Sequence, residues 1–182
     1  MHKVFLSLWH NLANWDKWAV SDWITEFDTC AEIAKQTAFI ARRPFESVPF
    51  ILELVPKNLG INERCAWINK RSVGWDYMVE LHMNAAAPEA TGVETFYFAG
   101  SRVGQECARR FQMEFTKQTG LKGRWVKEDT ATRHGRLWII RGTTKTLSLL
   151  VEMGFLTNKT DRQVIIEKGG RALFEALKKL AW

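Results

Sequence analysis

The run Thr146-Leu147-Ser148-Leu149-Leu150-Val151-Glu152-Met153-Gly154-Phe155 constrains the fold more than any other stretch of this 182-residue chain. Five of the six residues before Glu152 are β-branched or aliphatic, and the sixth, Ser148, is small. A continuous apolar run of this length predicts a strand buried on both faces, and such strands belong to parallel sheets covered by helices. Glu152 closes the run ahead of Gly154 and a turn, which sets its carboxylate at the rim of the sheet against an apolar wall. Burial of that kind raises a carboxyl pKa towards neutrality and suits a general acid or base. The competing reading is a glutamate satisfied by a local hydrogen bond or an arginine.

Two other strand-like runs end in the same way. Lys3 to Trp9 leads into His10, and Trp75 to Leu81 leads into His82. Open α/β sheets gather ligands and reactive groups at the carboxyl ends of their strands. Three strands therefore deliver His, His and Glu to one edge of one sheet, and that convergence predicts an active site.

The remaining stretches alternate between helix and strand. Thr25 is placed to cap a helix with Asp28 at its third position, and apolar periodicity runs from Phe27 to Ala41 before Pro44 ends it. Glu26 in the first turn has a simple explanation, since acids are favoured at helix amino termini. Val48–Leu54 and Val93–Phe98 predict strands, and Ile61–Arg71 and the stretch from the cap Ser101 to Thr119 predict helices, the latter stopped by Gly120. Gly123 to Gly135 is basic, polar and expected to be irregular, Leu137 to Arg141 reads as a strand, and a last helix from Asn158 or Thr160 reaches Trp182 with a weak break at Gly169-Gly170. No repeat or linker interrupts this order, so the expectation is one α/β domain spanning residues 1–182 with no separate wall-binding domain.

Nine tryptophans, four of them (Trp9, Trp15, Trp18, Trp23) in or beside residues 10–25, either line a sugar-stacking groove or close the core. A net charge of +6 and a pI near 9.4 favour an anionic partner such as nucleic acid, membrane phosphates or wall polymers. No apolar run approaches the roughly 18 residues of a membrane span, and the first residues do not read as a secretory leader, so synthesis in a cytoplasm is expected. Cys30, Cys65 and Cys107 are widely spaced and fit helical patterns as small hydrophobes, without a CxxC pair. HExxH, GxGxxG, GxxxxGK[ST] and GxSxG are absent, which removes the zincin, Rossmann, P-loop and nucleophile-elbow readings. What remains is an oxygen/nitrogen metal site with His10 and His82 and a completing carboxylate. Its alternative is ordinary surface or core histidines, which is how His2 and His134 read.

Several segments, taken in order, carry a resemblance. They are Thr25-Glu26 with Asp28 and Ile33-Ala34, Asn62-Glu63-Arg64 with Asn69, Leu81-His82 with Asn84, Gly92 to Tyr97, and Val151 to Leu156 with Asn158. Together they resemble the zinc-dependent N-acetylmuramoyl-L-alanine amidases, which cut bacterial peptidoglycan, over roughly residues 3–180. The resemblance implies a mostly parallel, six-stranded sheet flanked by helices on both faces. It further implies Zn2+ held by His10, Glu26 and His82, with Glu152 as catalytic carboxylate. Arg141, at the end of the neighbouring strand expected over Leu137 to Arg141, is placed to bind a stem-peptide carboxylate or the oxyanion. The implied partner is peptidoglycan, with anionic wall polymers or envelope as a further surface, no nucleic acid, and a monomeric chain. A phage endolysin acting on the wall from an infected host fits this better than a secreted autolysin. The first ligand departs from the family pattern: Leu8-Trp9-His10-Asn11-Leu12 stands in place of a Gly-His-Gly-Gly segment. Glu80 stands where the family tends to carry a small polar residue; by strand alternation it either orients a ligand on the His82 face or is a solvated rim residue. Two rivals remain open at this point, another zinc hydrolase of amino- or carboxypeptidase type and a non-catalytic binder of an anionic polymer.

Overall fold

The apolar runs form strands that stack into one sheet, and the periodic segments between them cover it. A computed structural model describes residues 1–8, 20–21, 24–132 and 135–180. In chain order the elements are β1 (His2–Leu8), β2 (Val20–Ser21), β3 (Ile24–Thr25), α1 (Glu26–Ala41), β4 (Phe50–Leu54), α2 (Ile61–Arg71), β5 (Asp76–Asn84), β6 (Val93–Tyr97), α3 (Arg102–Thr119), β7 (Gly123–Glu128), α4 (Trp138–Gly142), β8 (Thr146–Phe155) and α5 (Lys159–Lys178). The six-stranded sheet has the order β4-β1-β5-β8-β6-β7, and β2 and β3 form a separate two-stranded ribbon. Every pairing in the large sheet is parallel except β6 with β8. One edge therefore joins the carboxyl ends of β1, β5 and β8 to the amino ends of β6 and β7.

Strand alternation divides the core in two. Val4, Leu6, Val79, Leu81, Leu149, Val151 and Met153 face α1, α3 and α5, where they meet Ile33, Phe111, Phe115, Leu173, Phe174 and Leu177. Phe5, Met78, Phe96 and Leu150 face the other way, towards Cys65 and Ile68 of α2 and Ile139 and Ile140 of α4. Helices thus cover both faces, as the unbroken apolar strands require. The capping expectations hold locally: Thr25 Oγ1 accepts from the Asp28 amide at 3.0 Å, Ser101 caps α3, and Gly120 closes it in the left-handed region.

Three expectations are corrected. The basic stretch after Gly123 contains β7, an edge strand beside β6. An edge strand does not need alternating apolar residues, and charges are a normal way of protecting it. Leu137–Arg141 does not form a strand: Trp138–Gly142 is helical, with Ile139 and Ile140 buried against the α2 side. A run this short carries too few positions for its period to separate helix from strand. Finally, α5 continues through Gly169-Gly170. A Cβ on Gly169 would lie 2.9 Å from Ile33 Cδ1 and one on Gly170 would lie 2.4 Å from Gln36 Cβ, so these glycines admit α1 to close contact. The Thr37 hydroxyl, which donates to the Gly170 carbonyl at 3.1 Å, fastens that crossing.

Candidate functional site

His82 and Glu152 lie on neighbouring parallel strands and are partners in register. Both strands run past these residues, to Asn84 and Phe155, so the two side chains stand just inside the edge. Pairing between β5 and β8 shifts after His82 and leaves Met83 out of the register. The Met83 amide donates instead to Glu26 Oε1 at 3.0 Å. Glu26 is the first residue of α1, and the Thr25 cap aims that helix start at the sheet edge. The same Glu26 oxygen lies 3.1 Å from His82 Nδ1. Glu26 is 7% and His82 8% exposed, and ligand atoms of Glu26, His82 and Glu152 all lie within 4.8 Å of one another.

Burial raises the Glu152 carboxyl from its ordinary 4.5 to about 7; His82 opposes the shift, while the carboxylates of Glu26 and Glu94 add to it. Glu94 is directly across from Glu152 in the antiparallel β6–β8 pair. Glu152 Oε2 is buried without a hydrogen-bond partner among the described residues. For His82, burial acts to lower the pKa, but the hydrogen bond to Glu26 and the charges of Glu152, Glu26 and Glu80 outweigh it, and the net shift is upward. Cys30 lies one turn further along α1. Burial first, then Glu26, Glu152 and Glu80, push its thiol well up, so it stays a protonated core residue.

The residue beneath the site is Glu80, fully buried and not a solvated rim group. Its Oε1 pairs with Arg64 Nη1 at 2.6 Å, and the same nitrogen donates to Ser7 Oγ at 3.2 Å and to the Leu8 carbonyl. One arginine from α2 thus ties together the ends of β1 and β5. Asp161, at the start of α5, does the same for β6 and β8. Its carboxylate accepts from the amides of Gly92 and Phe155, both at 2.9 Å, and from Thr91 Oγ1 at 2.6 Å. A Cβ on Gly92 would lie 2.5 Å from the Lys122 carbonyl, so a side chain is excluded from this turn. Neither Arg64 nor Asp161 stands out in a periodicity reading, because each looks like an ordinary polar residue in a helix. Only the Asn62-Glu63-Arg64 segment in the resemblance points towards the first.

Arg141 does not join this cluster. On α4 it makes a two-pronged pair with the buried Asp129, at 2.5 and 3.0 Å, and its guanidinium lies over the Phe98 ring. It lines a cleft with Thr146 and Ser148. Thr146 starts β8 six residues before Glu152, which is about 20 Å along a strand. His2 packs edge-on to Tyr77 near the same far end. His10, His134 and the tryptophans of the first loop lie outside the described residues.

The donor set fits a divalent cation. One imidazole and two carboxylates converge with a buried oxygen of Glu152 still unmatched, and nitrogen with oxygen donors suits zinc. Among the described residues the additional carboxylates nearby are committed elsewhere, Glu80 to Arg64 and Glu94 to Arg124 and Lys127 at 2.8 and 3.3 Å. A second ion would have to displace those cations, which argues against the two-metal peptidase rival.

Comparisons with known proteins identify the family and the fold. A family model described as N-acetylmuramoyl-L-alanine amidase matches residues 13–178, beginning three residues past His10. The N-acetylmuramoyl-L-alanine amidase CwlM of Mycobacterium tuberculosis is 31% identical over 110 residues, which is 57% of this chain and only a quarter (25%) of that relative's length. Among solved structures, an N-acetylmuramoyl-L-alanine amidase from Clostridium difficile 630 superposes with a TM-score of 0.76 at 20% identity, covering 99% of this chain and 92% of that one. The catalytic domain of the CD27L endolysin targeting Clostridium difficile superposes at 0.73 with 22% identity, over 100% and 97% of the two chains. At those identities the structures show a shared fold.

Proposed function

The chain belongs to the N-acetylmuramoyl-L-alanine amidase family, and we propose that it hydrolyses the amide between the lactyl group of N-acetylmuramic acid and L-alanine in peptidoglycan. The observation that carries this reading is the convergence of Glu26, His82 and a Glu152 carboxyl raised to about 7 on one sheet edge. Glu26 and His82 would hold the cation, and His10 would complete the set on the strength of the resemblance. When bound, zinc supplies a Lewis acid for the scissile carbonyl and makes a nucleophile available at neutral pH.

The protein's own groups do the rest. Glu152, poised near neutrality, takes a proton from the attacking water and delivers it to the leaving amine. Glu26, anchored by the Met83 amide, fixes the His82 ring, so the imidazole reaches the ion in one orientation. Arg64 holds the ends of β1 and β5 at a set separation, and Asp161 does so for β6 and β8. The biological setting we infer is lysis of a bacterial wall, supported by the fold shared with an endolysin catalytic domain and by the net charge of +6, which suits an anionic wall.

Zinc content and turnover of two variants test the assignment. Glu152→Gln is expected to keep zinc and lose turnover about 10²–10⁴-fold, as removal of a general acid–base does. His82→Ala is expected to lose zinc first and activity as a consequence. A Glu152→Gln protein without zinc, or one turning over at wild-type rate, would overturn the roles.

A further inference from the structure

With Arg141 at the far end of β8 and Arg64 committed beneath the site to Glu80, the edge strand β7 brings two further described cations towards the reactive edge. Arg124 starts from β7 and reaches back over β6. Its Nε donates to Glu94 Oε1 at 2.8 Å, its Nη1 donates to the Thr91 carbonyl at 3.2 Å, and its guanidinium carbon lies 5.1 Å from the centre of the Phe155 ring at the end of β8. Lys127 approaches the same Glu94 oxygen at 3.3 Å. Glu94 is itself the direct cross-strand partner of Glu152. Two cations thus meet the one buried Glu94 carboxylate, and the Arg124 and Lys127 side chains remain 33% and 30% exposed.

We propose that Arg124, held in place by Glu94 and assisted by Lys127, binds a carboxylate on the peptide side of the scissile amide and so sets substrate preference. The inference rests on the amidase reading above. Glu94 and Glu152 are adjacent across one strand pair and β7 is one further strand away, so Arg124 leaves the sheet about two strand spacings, or roughly 10 Å, from Glu152. That span matches the residue next to the L-alanine whose amide is cut. Glu94 fixes the planar fork, and a pre-aligned guanidinium is the group best suited to a carboxylate.

The test uses two synthetic muramyl-L-alanyl peptides that differ only in whether the next residue carries a free carboxylate or the corresponding carboxamide. With the zinc-loaded wild type, kcat/KM is expected to favour the carboxylate by about tenfold to a hundredfold, carried mainly by KM, the scale of a hydrogen bond to a charged group. In Arg124→Gln the ratio is expected to fall to near one, Arg124→Lys is expected to retain part of it, and Lys127→Gln to reduce it less. Zinc content, measured alongside, reports whether each variant keeps its site. Equal efficiency of the wild type on both peptides would overturn this inference while leaving the amidase reading standing, as would an Arg124→Gln ratio equal to that of the wild type. Cleavage of neither peptide by the wild type would refute the amidase reading, and this inference with it.

Discussion

Replacing Glu152 by glutamine removes a carboxyl that the fold holds against its preference for ionisation. In the folded protein this group titrates at about 7 where an ordinary glutamate titrates at 4.5. Below about pH 4.5 the carboxyl is protonated in folded and unfolded chains alike, and it costs nothing. Between 4.5 and 7 the unfolded chain releases the proton while the folded chain keeps it, so wild-type stability falls as pH rises. Above 7 the full difference is present: about 2.5 pKa units at 1.36 kcal/mol each, or about 3 kcal/mol. Part of Glu152 reaches the surface, so this figure is an upper bound. The neutral amide avoids the cost. In chelator-treated protein, urea unfolding is expected to show Glu152→Gln and wild type alike at pH 4.5 and the variant more stable by up to about 3 kcal/mol at pH 8. Added zinc is expected to narrow the gap at pH 8, because a nearby cation favours the carboxylate. A difference that does not change with pH, or a wild type that gains on the variant as pH rises, would refute the reasoning.

Other expectations follow from the same geometry. Arg64→Met or Glu80→Gln alone is expected to cost about 3–5 kcal/mol in denaturant unfolding, since each leaves a buried group without its ion-pair partner, whereas Arg64→Met with Glu80→Met together should recover most of it. A double variant as unstable as either single one would show that the pair is not the cause. Gly170→Ala is expected to destabilise by about 1–3 kcal/mol, because its Cβ would lie 2.4 Å from Gln36 Cβ, a cost that outweighs the helix preference of alanine; an unchanged unfolding midpoint would count against the close crossing of α1 and α5. Zinc occupancy measured by equilibrium dialysis is expected to fall on acidification, because a protonated imidazole cannot ligate. The raised pKa of His82 brings that competition closer to neutrality than the usual 6.5. Occupancy held unchanged to pH 5 would contradict His82 as a ligand.

Much of this architecture is legible in the sequence because it rests on local signals. The run ending near Glu152, the Thr25 and Ser101 caps and the Gly120 stop each depend on neighbours within a few residues, and each appears where expected. The delivery of His82 and Glu152 to one edge also follows from the rule that parallel strands share direction. What was not legible depends on distant partners. β7 is a strand because it lies beside β6, and its charged side chains are matched by Glu94, some thirty residues away. Gly169-Gly170 resembles a helix break until α1 is seen packed on it. Arg141 has the composition of an anion-binding residue, yet its charge is spent on Asp129 far from the reactive edge. Glu80 resembles a rim residue until Arg64, sixteen positions earlier in sequence, is placed beside it. Periodicity reports which face a residue takes, but it does not name the charge it meets there.

The most direct test of the account is digestion of purified peptidoglycan by the zinc-loaded protein, with and without strong chelator, followed by mass spectrometry of the new termini. Free L-alanine amino termini matched by lactyl carboxyl groups on muramic acid are expected, abolished by prolonged chelation, restored by zinc and absent with Glu152→Gln. New reducing sugar ends, cleavage only within the stem peptide, or full release of L-alanine termini after zinc has been removed would contradict it.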